Sequence, residues 1–143
     1  MLWSMGIEPT AAEAPVVLIV EDDEVLARSL VRSLAAHGYA VAAAASAEEA
    51  EAIIDAAVPA MLLLDIDLPD GPGWAVARRI RQTNSQTVIT IMSGLPANPR
   101  LVQEIGCSGV LVKPFPIETL IRHVETAFGG SSTARPALTK EAP

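Results

Sequence analysis

Short apolar runs recur along the chain, separated by longer segments that carry more polar residues. The runs are VVLIV at 16–20, YAVAAAA at 39–45, AMLLLD at 60–65, TVITIMS at 87–93 and GVLVK at 109–113. None of them alternates cleanly between apolar and polar positions. Runs that are apolar on both faces are typical of parallel strands covered by helices on each side of a sheet.

The segments between the runs have helical periodicity. Leucines follow one another four residues apart from Leu26 to Leu34, and an i, i+3, i+4, i+7 apolar pattern starts at Ile117. Ser46 and Glu49 form a capping box that opens a second helix, and Asp23 is predicted to cap the first. Trp74 begins a third helix, and NPRLVQEIG at 98–106 gives a short fourth. Strands and helices in alternation predict a doubly wound α/β fold, with a five-stranded parallel sheet and five helices.

The chain has 143 residues, enough for one domain with a real core and short for two. We expect the folded domain to span residues 15–128. Residues 1–14 and 129–143 are small, polar or proline-rich and are predicted to be flexible tails. No output domain is expected after the fifth helix.

Composition narrows the function classes. The formal net charge is −7 and the pI is near 4.7, which argues against direct nucleic-acid binding. The single cysteine, Cys107, excludes an internal disulfide, fits a reducing compartment, and is interpreted as a small buried hydrophobe. No apolar run reaches the roughly 20 residues that span a bilayer. We therefore expect a cytoplasmic protein that does not contact membranes.

Chemically distinctive residues fall where the predicted strands end. Glu21 and Asp22 follow the first strand, Asp65 ends the third, Ser93 the fourth and Lys113 the fifth. Ligands of open parallel sheets gather at these carboxyl ends, so we expect these side chains on one rim. The second strand ends on alanines and contributes no charge, as expected of an edge strand.

Three carboxylates on one rim repel one another and push at least one pKa upward. Mg²⁺ would relieve this repulsion, because it favours a few carboxylates together with water and phosphate oxygens. A carboxylate nucleophile, a metal, a lysine and a hydroxyl are the parts needed to take up a phosphoryl group as an aspartyl phosphate. Asp65 is the predicted acceptor.

Four motifs carry a resemblance to a known family. VLIVEDD, LLLDIDLPDGPG, ITIMSG and VLVKPF occur in the order and spacing of the receiver domain of two-component response regulators. The chain resembles the chemotaxis-type, stand-alone form of that domain over residues 15–128. The resemblance implies a flavodoxin-like sheet of strand order 2-1-3-4-5.

The resemblance also implies a role for each matched residue. Asp65 would be the phosphoacceptor, Ser93 would hydrogen-bond the phosphoryl group and Lys113 would pair with it. The Mg²⁺ ligands would be Asp22 directly, Glu21 mostly through water, Asp65 itself and the backbone carbonyl of Asp67. The peptide bond between Lys113 and Pro114 is a candidate for the cis form, and Pro69 and Gly73 match the loop after the acceptor.

Some positions depart from the family or have simpler interpretations. Val110 stands where many receivers place a Tyr or Phe that turns inward on phosphorylation, which puts the usual readout in doubt. Arg78, Arg79 and Arg81 are interpreted as a solvated helix face, and His123 is placed on the polar side of the last helix.

The expected function is therefore not enzymatic, apart from the domain's own phosphorylation and dephosphorylation. The expected partners are a histidine kinase or histidine phosphotransferase and a downstream protein target, with a homodimer left open. Two alternatives remain: a receiver fold kept as an unphosphorylated interaction module, and a haloacid-dehalogenase-type phosphatase, which also uses an Asp nucleophile, Mg²⁺ and a Lys. In the latter family a glycine usually follows DxD, whereas Leu68 follows Asp67 here.

Overall fold

A computed structural model describes residues 16–84 and 86–129. The strands are β1 (Val17–Val20), β2 (Val41–Ala44), β3 (Met61–Asp65), β4 (Asp67–Leu68), β5 (Gly71–Pro72), β6 (Val88–Ser93) and β7 (Gly109–Val112). The helices are α1 (Glu24–Ala36), α2 (Ala47–Ala56), α3 (Trp74–Thr83), α4 (Pro99–Ile105) and α5 (Ile117–Gly129). The predicted tails lie outside the described residues, except that α5 runs through Gly129.

Five strands form one parallel sheet in the order β2-β1-β3-β6-β7. The short strands β4 and β5 pair with each other in a separate antiparallel hairpin between β3 and α3. With this hairpin set aside, the order is 2-1-3-4-5, so the predicted fold class and topology are confirmed. The central strands β1 and β3 pair over their whole length, from Val17 with Met61 to Val20 with Leu64.

Each face of the sheet has its own apolar core, which explains why the strands are apolar at successive positions. Ile19 points to the core under α1 and α5, which includes Leu30 and Val124. The neighbouring residue Leu18 points to the opposite core, which includes Ile80 from α3. Because side chains alternate along a strand, a strand covered on both sides needs apolar residues throughout.

The predicted helix ends are confirmed. Asp23 caps α1, with its Oδ1 accepting from the N–H of Leu26 at 3.1 Å. Ser46 caps α2, with its Oγ accepting from the N–H of Glu49 at 3.2 Å. Gly106 ends α4 in the left-handed region at φ 80°, where glycine has no steric penalty.

The interpretation of Arg81 as part of a solvated helix face was wrong. Its Nε donates to the carbonyl of Ile105 at 2.8 Å and its Nη1 to that of Thr87 at 2.9 Å. The guanidinium, with several fixed donors, therefore joins the end of α3 to the C-terminal end of α4. Arg78 and Arg79 are exposed, as expected.

His123 also departs from its expected place, because it packs against the sheet instead of lying on the polar side of α5. Its Nε2 is 2.7 Å from Oγ1 of Thr90, a fully buried residue of β6. Gly109 provides the space, since a Cβ there would lie 2.6 Å from Cε1 of the imidazole. Burial lowers the pKa of His123 below its ordinary value of 6.5.

Cys107 is half-buried against the core under α2, α3 and α4, and burial raises the pKa of its thiol.

No helix within the described residues is long and apolar enough to cross a bilayer.

The lowered pKa of His123 predicts an acid-sensitive contribution to stability. The unfolded chain binds a proton at this residue more readily than the folded one, so the free energy of unfolding should fall as pH drops below 6.5. The variant His123→Gln should lose this part of the pH dependence. Chemical denaturation of both proteins at several pH values measures it, and other titrating groups cancel in the difference. Equal pH profiles for the two proteins would contradict the prediction.

Candidate phosphoacceptor site

The predicted rim residues lie at the carboxyl edge of the sheet, around the paired ends of β1 and β3. Asp65 is the last residue of β3 and is 3% exposed. Glu21 directly follows β1 and is 1% exposed. Because these strands are neighbours in register, the sheet itself brings the two buried carboxylates together.

Lys113 joins the two carboxylates from the end of β7. Its Nζ lies 2.7 Å from Oε1 of Glu21 and 3.1 Å from Oδ2 of Asp65. Burial by itself lowers the pKa of Lys113, but the two carboxylates outweigh it and the net direction is upward. The ammonium group is therefore firmly charged and offsets part of the negative charge of the site. The peptide bond from Lys113 to Pro114 is cis, as expected.

Within this site, Glu21 has the pKa that departs furthest from its ordinary value. Burial raises the pKa of its carboxyl to about 7, and the nearby charge of Asp65 adds to the rise. Lys113 and the N–H of Asp23, which donates to Oε2 at 3.1 Å, act in the opposite direction. The upward pKa shift expected from the sequence is therefore found at Glu21, where burial contributes more to it than like-charge repulsion does.

The carboxylates fit a small divalent cation. Glu21, Asp22 and Asp65 each offer an oxygen, and these oxygens lie within 4.8 Å of one another. Ligands at about 2.1 Å from Mg²⁺ lie about 3 to 4 Å apart around an octahedral ion, so only a small adjustment is needed. Asp22 is exposed, which leaves an open side for water and a phosphoryl oxygen.

The loop after Asp65 is held close to the acceptor. The N–H of Asp67 donates to Oδ1 of Asp65 at 2.9 Å, and the N–H of Gly73 donates to the carbonyl of Ile66 at 2.7 Å. A Cβ on Gly73 would lie 2.6 Å from the carbonyl oxygen of Asp65, so this close approach requires glycine. Trp74, the next residue, lines the groove that also holds Asp22 and Asp67, with a volume of about 510 Å³.

Comparison with known proteins identifies this arrangement. Residues 17–125 match the model of the response regulator receiver domain. The chain belongs to this family. Receiver domains are phosphoacceptor signalling domains that bind Mg²⁺ at an acidic pocket, and this receiver domain has an acidic cluster at the carboxyl edge of its sheet.

Curated relatives include the transcriptional regulatory protein PmrA of Pectobacterium parmentieri, 36% identical over 124 residues. Another is the uncharacterized transcriptional regulatory protein YkoG of Bacillus subtilis, 35% identical over 122 residues. The alignments cover 83% and 82% of this chain but 56% and 52% of those proteins. This receiver domain therefore spans about half the length of the curated relatives it matches.

Solved structures agree with the fold. The non-phosphorylated HemR receiver domain of Leptospira biflexa has a TM-score of 0.73 at 30% identity, covering 79% of this chain and 93% of that one. A CheY-like receiver domain protein of Methanospirillum hungatei has a TM-score of 0.77 at 24% identity, covering 82% and 96%, and supports the fold alone.

Ser93 lies on the same rim, yet its hydroxyl is directed elsewhere. It is 5% exposed, its Oγ donates to the carbonyl of Leu95, and it accepts from the N–H of Leu95 at 3.2 Å. The side chain therefore closes a tight turn after β6 instead of contacting Asp65. The roles of Ser93 toward a phosphoryl group and of the Asp67 carbonyl toward Mg²⁺ stay predictions.

Asp70 makes a contact that sequence reasoning missed. Its Oδ1 accepts from the N–H of Ala47 at 3.0 Å and its Oδ2 from that of Glu48 at 3.1 Å. These bonds lower the pKa of Asp70, although the side chain is exposed. An aspartate between a proline and a glycine is an ordinary turn residue, so nothing local signals a partner more than 20 residues away.

The raised pKa of Glu21 predicts that Mg²⁺ binding depends on pH. A proton on Glu21 competes with the cation, so Mg²⁺ affinity should fall as pH drops below about 7. Glu21→Gln cannot titrate, and its affinity should be weaker at pH 8 and nearly flat across this range. Isothermal titration of both proteins with Mg²⁺ at pH 6, 7 and 8 is the measurement. A wild-type affinity that does not change with pH would refute this assignment of the titrating group.

Proposed function

We propose that this protein is a phosphorelay receiver that accepts a phosphoryl group on Asp65 from a histidine kinase or histidine phosphotransferase. The reaction depends on Mg²⁺, and the protein then signals by binding a downstream protein target. One observation carries the proposal: Asp65, buried at the end of a central strand, is contacted by Lys113 beside the carboxylates of Glu21 and Asp22.

The chemistry is a displacement at phosphorus. A carboxylate oxygen of Asp65 forms a bond to phosphorus while the bond from phosphorus to the donor's imidazole nitrogen breaks, and the imidazole keeps the electron pair. Mg²⁺ would be held by Glu21, Asp22, Asp65 and the carbonyl of Asp67. When bound, it would neutralise charge on the transferring group. Lys113 neutralises the acceptor side, and the N–H of Asp67 orients Oδ1 of Asp65.

Family membership and the charged cluster at the acceptor favour this function over the two alternatives. The chain matches the receiver model over most of its length, which argues against the haloacid-dehalogenase-type phosphatase. An unphosphorylated interaction module would have no need for two buried carboxylates paired with a half-buried lysine, because such a cluster is costly to desolvate.

Further parts of the proposal concern the setting in which the protein acts. We place it in the cytoplasm as a single-domain receiver that binds neither nucleic acid nor membrane directly. Its net charge of −7 is unfavourable for contact with nucleic-acid phosphates. A homodimer stays open. The mass of the native protein in cell extract and its elution volume on a sizing column test the domain content and the oligomeric state.

The first test is the acceptor itself. In the presence of Mg²⁺ and a small phosphodonor or a phosphorylated kinase, the wild-type protein should gain one acid-stable, base-labile phosphoryl group. Asp65→Asn removes the nucleophile and should reduce labelling to background, measured by intact mass and radiolabel transfer. Asp22→Ala should also block labelling and weaken Mg²⁺ binding by more than about tenfold, since it removes a ligand and its charge.

Asp23→Ala is the matched control, because it removes a neighbouring carboxylate that caps α1 and lies outside the predicted ligand set. It should lower thermal stability and leave labelling intact. Labelling of Asp65→Asn at the wild-type rate would refute the proposal, whereas stable label distinguishes a receiver from a phosphatase, which would release phosphate.

The switch should not depend on an aromatic ring. Val110 is a half-buried β-branched residue that packs against the core under α2, α3 and α4, and it pairs in register with Ile91. Its side chain is stiff and has no ring to turn inward. We therefore place the moving element at the turn after β6 and at α4. New phosphoryl oxygens would draw the Ser93 hydroxyl away from the Leu95 carbonyl.

Backbone NMR with and without a phosphoryl mimic tests this response. The largest shift changes should fall in residues 94–106, and Ser93→Ala should blunt them while Mg²⁺ affinity stays near the wild-type value. Lys113→Ala should fold and also lose the response. Changes confined to α1 and α2, with residues 94–106 silent, would contradict this assignment.

A further inference from the structure

The hairpin that follows the acceptor is fixed at its two ends and at its tip by different contacts. At the base, the N–H of Gly73 bonds the carbonyl of Ile66, and Leu68 is 8% exposed against the core. At the tip, the turn between β4 and β5 carries Asp70. Its carboxylate accepts from the N–H groups of Ala47 and Glu48, the first two residues of α2.

Helix α2 is a fixed support for that tip. Its buried residues Ala50, Ile53 and Ile54 pack into the core under α2, α3 and α4 together with β1 and β2 residues. The first N–H groups of a helix have no partner inside it. Asp70 satisfies two of them and Ser46 the third, at Glu49. Each carboxylate oxygen of Asp70 accepts from a separate donor. The turn is therefore fixed in its orientation as well as in its distance from α2.

We propose that Asp70 is a positioning residue for the metal site, because it holds the β4–β5 hairpin and with it Asp67, whose backbone carbonyl is a predicted Mg²⁺ ligand. This inference rests on the proposed function. Asp67 is exposed and belongs to a strand of two residues that pairs with the other half of the hairpin. A ligand on so short an element needs support from a rigid neighbour, and outer contacts of this kind commonly change metal affinity by about tenfold or more when removed.

The alternative is that Asp70 only stabilises α2. A variant of Ser46 distinguishes this stabilising role from the positioning role. Ser46→Ala removes a hydrogen bond from the same helix end without touching the hairpin. Asp70→Ala removes two other hydrogen bonds from that helix end and frees the hairpin tip as well. Both variants should melt at lower temperature than the wild type, but only Asp70→Ala should weaken Mg²⁺ binding.

The experiment is a Mg²⁺ titration of the full chain, followed by tryptophan fluorescence, in a Trp3→Phe background. Trp74, which lines the groove that also holds Asp22 and Asp67, is then the only tryptophan. We expect a loss of about tenfold in affinity for Asp70→Ala and an altered Trp74 emission, with Ser46→Ala unchanged in both. Asp70→Asn keeps one acceptor oxygen and should show a smaller loss in the same direction.

Equal Mg²⁺ affinities for Asp70→Ala and Ser46→Ala, whether both reduced or both unchanged, would overturn the positioning role. Absence of Mg²⁺ binding in the background protein itself would overturn the proposed function, and the inference with it. The two failures are therefore distinct.

Discussion

The burial of two like charges side by side is the constraint on which the rest of the structure depends. Glu21 and Asp65 lie at the ends of paired strands, almost without solvent, and such carboxylates are costly unless a cation accompanies them. Lys113 is the cation that touches both. It comes from β7, and β6 lies between β7 and the acceptor strand. The long side chain of lysine can reach across one strand, which links the site to the strand order of the sheet.

Precision at the acceptor depends on backbone contacts more than on side chains. The N–H of Asp67 holds one oxygen of Asp65, and the absence of a Cβ at Gly73 lets α3 begin against the acceptor's own carbonyl. The hydrogen bond to Asp65 and the close approach at Gly73 leave little freedom for the loop. The buried strand positions the nucleophile, and the turn after it positions the groups around the nucleophile.

The sequence predicted the fold and the acceptor cluster because both follow from periodic or local signals. Apolar runs without alternation indicate strands covered on both faces, and Asp23 and Ser46 are caps that act on the next residues of the chain. The errors concern long-range contacts of polar side chains. Arg81 bonds a carbonyl 24 residues away and His123 a hydroxyl 33 residues away, and no local pattern distinguishes such residues from solvated ones.

Local and long-range contacts together determine which parts of the chain a change at the acceptor can reach. The Ser93 hydroxyl donates to the carbonyl of Leu95 and accepts from its N–H. Movement of this hydroxyl at the rim would therefore also move the loop before α4. The first turn of α4 is capped locally by Asn98, whereas its C-terminal end is bonded to Arg81 of α3. A pull on Leu95 therefore reaches α4 at its less restrained end. In the proposed response α4 would tilt about its C-terminus, and this motion needs no aromatic ring on β7.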